Sequence, residues 1–377
     1  MAIALPHICH LTVLNPALHS RIFHKQAMSM VEAGFKVSVV GQDASPQPYH
    51  VEGVQVLPLP VFHPRSVQRF RVRKQIWDHA VAVNADVYVV HAPELLGMAS
   101  KLKKRFPQAR FVYDMHEDYA LNIREAGYYP FWLKGILANR VRQAELAFAS
   151  WGDAVVFAET CFETLLDMKS GVGFTLPNLF RESKTAMPEL PTLEDGLPIL
   201  LFSGTVAENW GIRLAVETWK QLNAKIPVRL VVAGIAYDKA LKNSILEQVA
   251  QSGFSSRFLW WGNGEYVPHT EILAWIKASQ LGLTPYILRP NLAERMPTRF
   301  FEFMAMGKPV LFTQNPPWDE LNARVEFGLS TNWPVVESTL DEIALRLESG
   351  WSTRVPAHIW SWEAQTELPR YLSWLKG

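Results

Sequence analysis

The sequence predicts an α/β protein made of two doubly wound parallel-sheet lobes facing a central cleft. Three observations carry that expectation. Short, β-branched apolar runs alternate with helix-period segments along most of the chain, the order expected of a parallel sheet with helices on both faces. The alternation stops once, between Pro177 and Pro198, in a stretch without periodicity that also holds Pro188 and Pro191, and then resumes. The chain has 377 residues, enough for two to three domains at about 150 residues each.

The elements follow in order. In the first half the runs Ile8–Leu14, Lys36–Val40, Val54–Leu59, Val87–Val90, Phe111–Tyr113 and Ala154–Phe157 read as strands buried on both faces. Helical segments lie between them at Arg21–Ala33, Val67–Val83, Glu94–Arg105 and Trp132–Ala149, and Gly34 sits where the first needs a left-handed cap. After the linker the strands are Ile199–Phe202, Arg229–Ala233, Arg257–Trp260, Leu281–Pro285 and Pro309–Phe312. The later helices are Ile212–Leu222, Lys239–Gln251, Thr270–Ser279, Thr298–Met306 and Leu340–Ser349, with Ser361–Lys376 closing the chain. Open parallel sheets bind ligands beyond the carboxyl ends of their strands, so both lobes should point functional loops into the cleft.

Composition narrows the classes. Net charge is +1, so no global field recruits nucleic acid, and none is expected as a partner. The two cysteines, Cys9 and Cys161, exclude a disulfide framework and fit a reducing, cytoplasmic setting. No apolar run has the length of a spanning helix, and the N-terminus reads as a first strand rather than a signal peptide. The 14 tryptophans are read first as core, though an aromatic excess also suits carbohydrate faces and membrane interfaces.

The most informative stretch is NLAERMPTRFFEFMAMGKPVL, residues 291–311. Pro297 suits the first helical position and Gly307 the residue past the end. Free N–H groups near Arg295, Met296, Pro297 and Thr298 then make an anion site, which Arg295 and Arg299 flank. A phosphate there leaves an attached ribose near Glu302, whose carboxylate is a good acceptor for a vicinal diol. Glu302 could equally pair with Arg299, three residues before it, on a solvated face.

Glu294, seven residues, Glu302, then Phe303-Met304-Ala305-Met306-Gly307-Lys308-Pro309-Val310 resembles the EX7E signature of retaining, GT-B fold glycosyltransferases of family 4 type. The resemblance extends in register to Arg21-Ile22-Phe23-His24-Lys25, His91-Ala92-Pro93-Glu94, Val112-Tyr113-Asp114-Met115-His116-Glu117 and Trp362-Glu363, and so spans nearly the whole chain. It implies two Rossmann-like domains. Residues 1–178 would bind the acceptor, 179–198 form a linker, 199–359 bind a nucleotide-sugar donor, and 360–377 cross back to the first domain. It also implies that Glu302 binds the donor ribose, that Glu294 contacts the hydroxyls of the transferred sugar, and that His116 contacts that sugar near the reacting carbon. Gly204, Thr205, Arg295, Met296, Pro297, Thr298 and Arg299 would line the donor site, and Arg21, His91 and Glu117 the acceptor side. Transfer would be metal-independent and cofactor-free, to a glycan or lipid-linked acceptor.

One departure concerns charge. Family members usually carry an Arg and a Lys after the first strand of the second domain, where they neutralise the donor diphosphate. Here Thr205 and Trp210 occupy those places, and Arg213, Arg295, Arg299 or Arg21 would have to compensate. The missing pair leaves open a catalytically silent nucleotide-sugar-binding subunit, and, since fold does not fix chemistry, a nucleotide-sugar epimerase on the same scaffold is a further alternative. Metal readings are weak. His7-Ile8-Cys9-His10 splits its ligands between two strand faces, and Asp114, Glu117 and Asp118 only imitate an acidic cluster. Basic and aromatic residues gather at Arg65, Arg69, Arg71, Arg73 and Lys74, at Lys101–Arg105, and at Tyr128–Lys134 leading to Arg140 and Arg142. They fit peripheral association with an anionic membrane, at the inner face of the cell membrane, or equally an ordinary solvated surface.

Overall fold

The computed structural model describes residues 5–63, 66–127, 129–182, 186–193, 195–353, 355 and 360–377. Arg65 and Tyr128 lie outside the described residues. The chain divides into two compact units, Met1–Arg181 with Trp362–Gly377, and Glu182–Ser361.

The first unit holds an eight-stranded sheet ordered β3-β4-β2-β1-β5-β6-β7-β8. Its strands are β1 (His7–Pro16), β2 (Lys36–Gln42), β3 (Tyr49–Val51), β4 (Val54–Leu59), β5 (Val87–Val90), β6 (Arg110–Met115), β7 (Ala154–Phe157) and β8 (Val172–Thr175). All pairs are parallel except β3 with β4. The central strands are apolar on both faces because helices cover both, as in β5, where every residue is buried. Those helices are α1 (Met28–Glu32), α2 (Gln68–Val83), α3 (Leu96–Arg105), α4 (Tyr119–Glu125) and α5 (Phe131–Ala149). Two apolar clusters form, one centred on Leu11, Tyr88, Phe111 and Phe148, the other on Ile8, Phe23, Val89 and Phe174.

The segment expected as one α-helix over Arg21–Ala33 is instead a π-helix at Ser20–Ala27 that passes into α1. The Met28 N–H reaches back to the Phe23 carbonyl, five residues earlier. The wider turn brings Arg21, Lys25 and Gln26 into the interior, where all three are buried. An α-helix would not align residues five apart.

The second unit has a six-stranded, wholly parallel sheet ordered β11-β10-β9-β12-β13-β14. Its strands are β9 (Ile199–Ser203), β10 (Arg229–Ala233), β11 (Phe258–Trp261), β12 (Leu281–Thr284), β13 (Val310–Thr313) and β14 (Gly328–Thr331). This is the 3-2-1-4-5-6 order of dinucleotide-binding folds, with its switch point between β9 and β12. Helices α6 (Ile212–Asn223), α7 (Lys239–Ala250), α8 (His269–Ala278), α9 (Pro290–Ala293), α10 (Thr298–Ala305), α11 (Pro316–Val325) and α12 (Glu337–Glu348) flank it. Pro297 stands just before α10, with ψ 125, not at its first helical position. Proline's fixed φ suits both places, and here the chain is still extended as it enters the helix.

The last helix, α13 (Glu367–Lys376), belongs to the first unit. Its stripe of Leu368, Tyr371 and Leu375 is buried against the Phe174 side of that unit's core. Arg110 donates to the Trp374 and Leu375 carbonyls at 2.5 and 2.6 Å, which caps the helix, and its guanidinium lies over the Trp374 ring. Just before the helix, Trp362 is fully buried and its indole N–H donates to Ser29 Oγ at 2.9 Å. Trp219, Trp275 and Trp318 are fully buried as well. Trp362→Ala should therefore cost about 3–5 kcal/mol, as for other buried aromatic truncations. Hydrogen exchange is expected to rise in α1, β8 and the π-helix; a rise confined to the second unit would refute this account.

Candidate functional site

In the first unit the site is built around one carboxylate. Asp114, at the end of β6, is completely buried. Its Oδ1 accepts from Arg21 Nη2 at 2.7 Å. Its Oδ2 accepts from Gln26 Nε2 at 2.7 Å, His116 Nε2 at 2.5 Å and His91 Nδ1 at 2.9 Å, with Arg21 Nε at 3.1 Å from both oxygens. Burial alone would raise this carboxyl, but Arg21, then His116 and His91, outweigh it and hold it well below the usual range.

The histidines extend the network. His91 is buried at the end of β5, and burial lowers it to about 4 despite the Asp114 carboxylate. A neutral His91 that donates from Nδ1 to Asp114 presents a bare Nε2, and His10 Nδ1 lies 2.8 Å from it. Burial, reinforced by His91, holds His10 well below its ordinary value too. His19 stacks on His116 at 5.9 Å between ring centroids, and burial with the neighbouring His116 lowers it to about 3. His116 reaches the surface, with its side chain 10 % exposed, and His19 beside it is also partly exposed.

Arg21 and His91, expected on the acceptor side, thus lie in the interior and support His116 from beneath. Arg21 is 1 % exposed and spends its charge on Asp114 and its remaining N–H groups on the Leu176 carbonyl and Asn178. It is not a spare cation for a diphosphate. Glu117 accepts from Asn122, while Asp118 caps α4 and pairs with Arg142, so both carboxylates are engaged at the helix start. His7 binds Ser38 Oγ. Among the described residues, His91, Asp114 and His116 form the grouping with metal-ligating atoms close together, all within 4.8 Å. Arg21 already neutralises its carboxylate.

In the second unit the site lies at the switch point. After β9 the chain turns at Gly204, with φ +92, and a Cβ there would come 2.0 Å from Arg299 Nη2. A Cβ on Gly234, after β10, would strike the Gly204 carbonyl at 1.7 Å. Arg299, in the first turn of α10, therefore lays its guanidinium across a turn that must be bare of side chains. Its Nε is buried without a partner, and among the described residues no carboxylate pairs with it. Beside it Tyr286 is buried, in edge contact with Trp210 at 4.8 Å and Trp318 at 6.0 Å. Thr205 is exposed at the turn. Arg213 is engaged elsewhere, with Glu208 and Ser244.

The loop from Glu294 to Pro297 is held from below by α11 and the residue before it. Trp318 Nε1 donates to the Arg295 carbonyl at 2.7 Å and Asn315 Nδ2 to the Ala293 carbonyl at 2.8 Å. Glu294 is exposed, while Arg295, Met296, Pro297 and Thr298 are half-buried. Glu302, one turn after Arg299 and 7 % exposed, meets His269, and among the described residues no pairing with Arg299 is seen. His269 Nε2 lies 2.8 Å from Glu302 Oε1, with the His269 side chain 48 % exposed at the start of α8. His269 was not legible in the sequence, because it is 33 residues from Glu302 and the meeting depends on how α8 and α10 pack.

The family described as "Glycosyl transferases group 1" matches residues 197–336, and "Glycosyl transferase 4-like domain" matches residues 19–173. No curated protein matches the sequence. Solved structures share the fold at low identity. Sucrose-phosphate synthase from Thermosynechococcus elongatus is 15 % identical with TM-score 0.65, covering 99 % of this chain and 95 % of that one. A glycosyltransferase from Rickettsia africae is 13 % identical with TM-score 0.65, covering 98 % and 97 %. An α,α-trehalose-phosphate synthase (UDP-forming) from Burkholderia xenovorans, solved with glucose-6-phosphate, is 10 % identical with TM-score 0.61, covering 98 % and 99 %. The chain belongs to the GT-B fold glycosyltransferases of group 1.

Two outcomes test the buried network. Asp114→Asn leaves the Arg21 guanidinium uncompensated and should cost about 3–5 kcal/mol in a denaturant titration. Adding Arg21→Met should restore part of that loss, and a strictly additive double variant would contradict the pairing. The His91 imidazole should stay neutral until pH falls to about 4 in an NMR titration. Because its folded value is lowered, the stability it contributes is complete above the unfolded value near 6.5 and is lost as pH falls from there toward 4.

Proposed function

We propose that this chain transfers a sugar, with retention of configuration and without a metal, from a nucleotide-sugar donor to a glycan or lipid-linked acceptor in cell-surface polysaccharide or glycoconjugate synthesis. The observation that carries the reading is Arg299, laid without a carboxylate partner across the side-chain-free Gly204 turn at the switch point of the second unit. A diphosphate at that turn would meet a guanidinium and the N-terminus of α10, so the charge usually supplied by an Arg and a Lys would come from a helix instead. Glu302 then stands one turn further on for the ribose, and Glu294 at the loop for sugar hydroxyls. This favours the active transferase over a silent binding subunit.

Catalysis on this reading is positioning and charge stabilisation. The leaving diphosphate gathers negative charge, and a preorganised cation lowers the barrier because no solvent must reorganise. His116, assigned to the transferred sugar, is held in one orientation by Asp114 and stacked on His19. No metal is required on this account, since Arg21 balances the one carboxylate that sits with two histidines. Solved neighbours bound with UDP-2-fluoro glucose, in one from E. coli, and with glucose-6-phosphate, in the one from Burkholderia xenovorans, support a nucleotide sugar and a sugar as substrate classes.

We place the reaction in the cytoplasm, at the inner face of the cell membrane. No helix of the described residues is long and apolar enough to cross a membrane. The outward face of α5 carries Phe131, Trp132 and Ile136 beside Arg140, all exposed, which suits peripheral contact with anionic lipid.

Calorimetric titration with UDP and GDP tests the donor site on whichever nucleotide binds the wild type more tightly. Arg299→Ala and Glu302→Ala should each weaken it about ten- to hundredfold, the loss of a charged hydrogen bond. Unchanged affinity in Arg299→Ala would remove that residue from the diphosphate site. His116→Ala should leave nucleotide affinity intact and lower donor-sugar turnover at least about tenfold; an equal loss of both, with a lowered Tm, would make it structural.

A further inference from the structure

A separate cavity of about 670 Å³ opens in the first unit at the carboxyl ends of β2 and β4, walled on one side by α2. That volume lies within the range of small-molecule pockets. Its polar groups are Asp43 and Ser45, just past β2, and Gln75, Asp78 and His79 on α2. Pro46, Pro60 and Val61 give it apolar walls. Among the described residues no lysine or arginine lines it. The neighbouring Lys74 pairs with Asp78 at 3.9 Å, both side chains being largely in solvent.

The carboxylate of Asp43 is fixed in place. Oδ1 accepts from the Ser45 N–H at 2.8 Å and Oδ2 from the Tyr49 hydroxyl at 2.9 Å. Burial and the Asp43 carboxylate push Tyr49 up to about 12, so the hydroxyl keeps its proton and goes on donating. A carboxylate has about four acceptor positions, so two remain for a ligand. Burial lowers His79, so among the described lining residues the charged side chains at neutral pH are Asp43 and the exposed Asp78. Such a pocket accepts hydrogen bonds from hydroxyl or amino groups and repels phosphate.

Its place in the sheet sets the ligand's length. Three to four strand spacings separate the β2 and β4 ends from His116 at the end of β6. At about 4.8 Å each this is roughly 14–19 Å, more than one pyranose ring can bridge.

We propose that this cavity is a remote acceptor subsite that holds an unphosphorylated, hydroxyl- or amino-bearing sugar unit of an oligosaccharide, several units away from the hydroxyl that reacts. The proposal rests on the transferase reading but is tested apart from it. Saturation-transfer NMR on the full chain, with glucosamine, glucose and glucose 6-phosphate as probes, should detect the first two and find the phosphate at least about tenfold weaker. Gln75→Trp, at an exposed helix position, should fill the cavity and abolish the signals. Asp78→Lys should reverse the order in favour of glucose 6-phosphate. Both variants should retain wild-type nucleotide affinity. Glucose 6-phosphate binding as tightly as glucose, signals indifferent to Gln75→Trp, or no saccharide bound would each overturn the subsite. Absence of nucleotide binding in the wild type would instead count against the transferase reading.

Discussion

The first unit depends on the ion pair between Arg21 and Asp114. Taking two charges out of water is costly, and the attraction between them repays this only when the geometry is good and the other lone pairs are satisfied. Here that condition is met. The carboxylate also receives Gln26, His91 and His116, while the guanidinium reaches the Leu176 carbonyl as well. Three segments far apart in sequence therefore meet at one residue: the π-helix, the end of β5 and the end of β6. His116 inherits its orientation from this arrangement, so the site's geometry and the unit's stability share one cause.

The second unit solves its charge problem differently. Its turn after β9 is kept bare by glycines, and the cation that lies on it comes from α10. That placement puts a cation at a helix N-terminus, where the macrodipole disfavours it. The conflict is relieved when an anion occupies the same space. The unpartnered Arg299 Nε and the glycine turn beneath it are two sides of one arrangement, which on the proposed reading an anionic ligand would relieve.

Much of this was legible in the sequence because periodicity is local. Val54–Leu59, Val87–Val90 and Ala154–Phe157 are read at their observed ends, since a β-branched run bounded by turn residues has little choice. The edge strands β3, β8 and β14 escape notice. They are short and partly exposed, and Gly173 and Gly328 weaken two of them. Helix α11 hides behind Pro316 and Pro317, which look like a loop but occupy its first turn. The π-helix leaves no pattern distinct from an α-helix. The site residues Glu294, Glu302 and His116 stand out through motif spacing, whereas the Asp114 network and His269 do not, because each joins residues whose meeting is decided by packing. Arg299 lies between: its position at a helix start is readable, but not the glycine turn it covers.

Trp362–Gly377 completes the unit that begins at the other end of the chain. This fixes an order of assembly on the ribosome. Domains generally form as they emerge, the N-terminal one first. Here the residues through Arg181 emerge early but lack the indole and the helix that close their core, while Glu182–Ser361 is contiguous and can finish first. The earlier part of the nascent chain must wait for a later one. Until Trp362–Lys376 has emerged, the apolar face around Phe174 stays open.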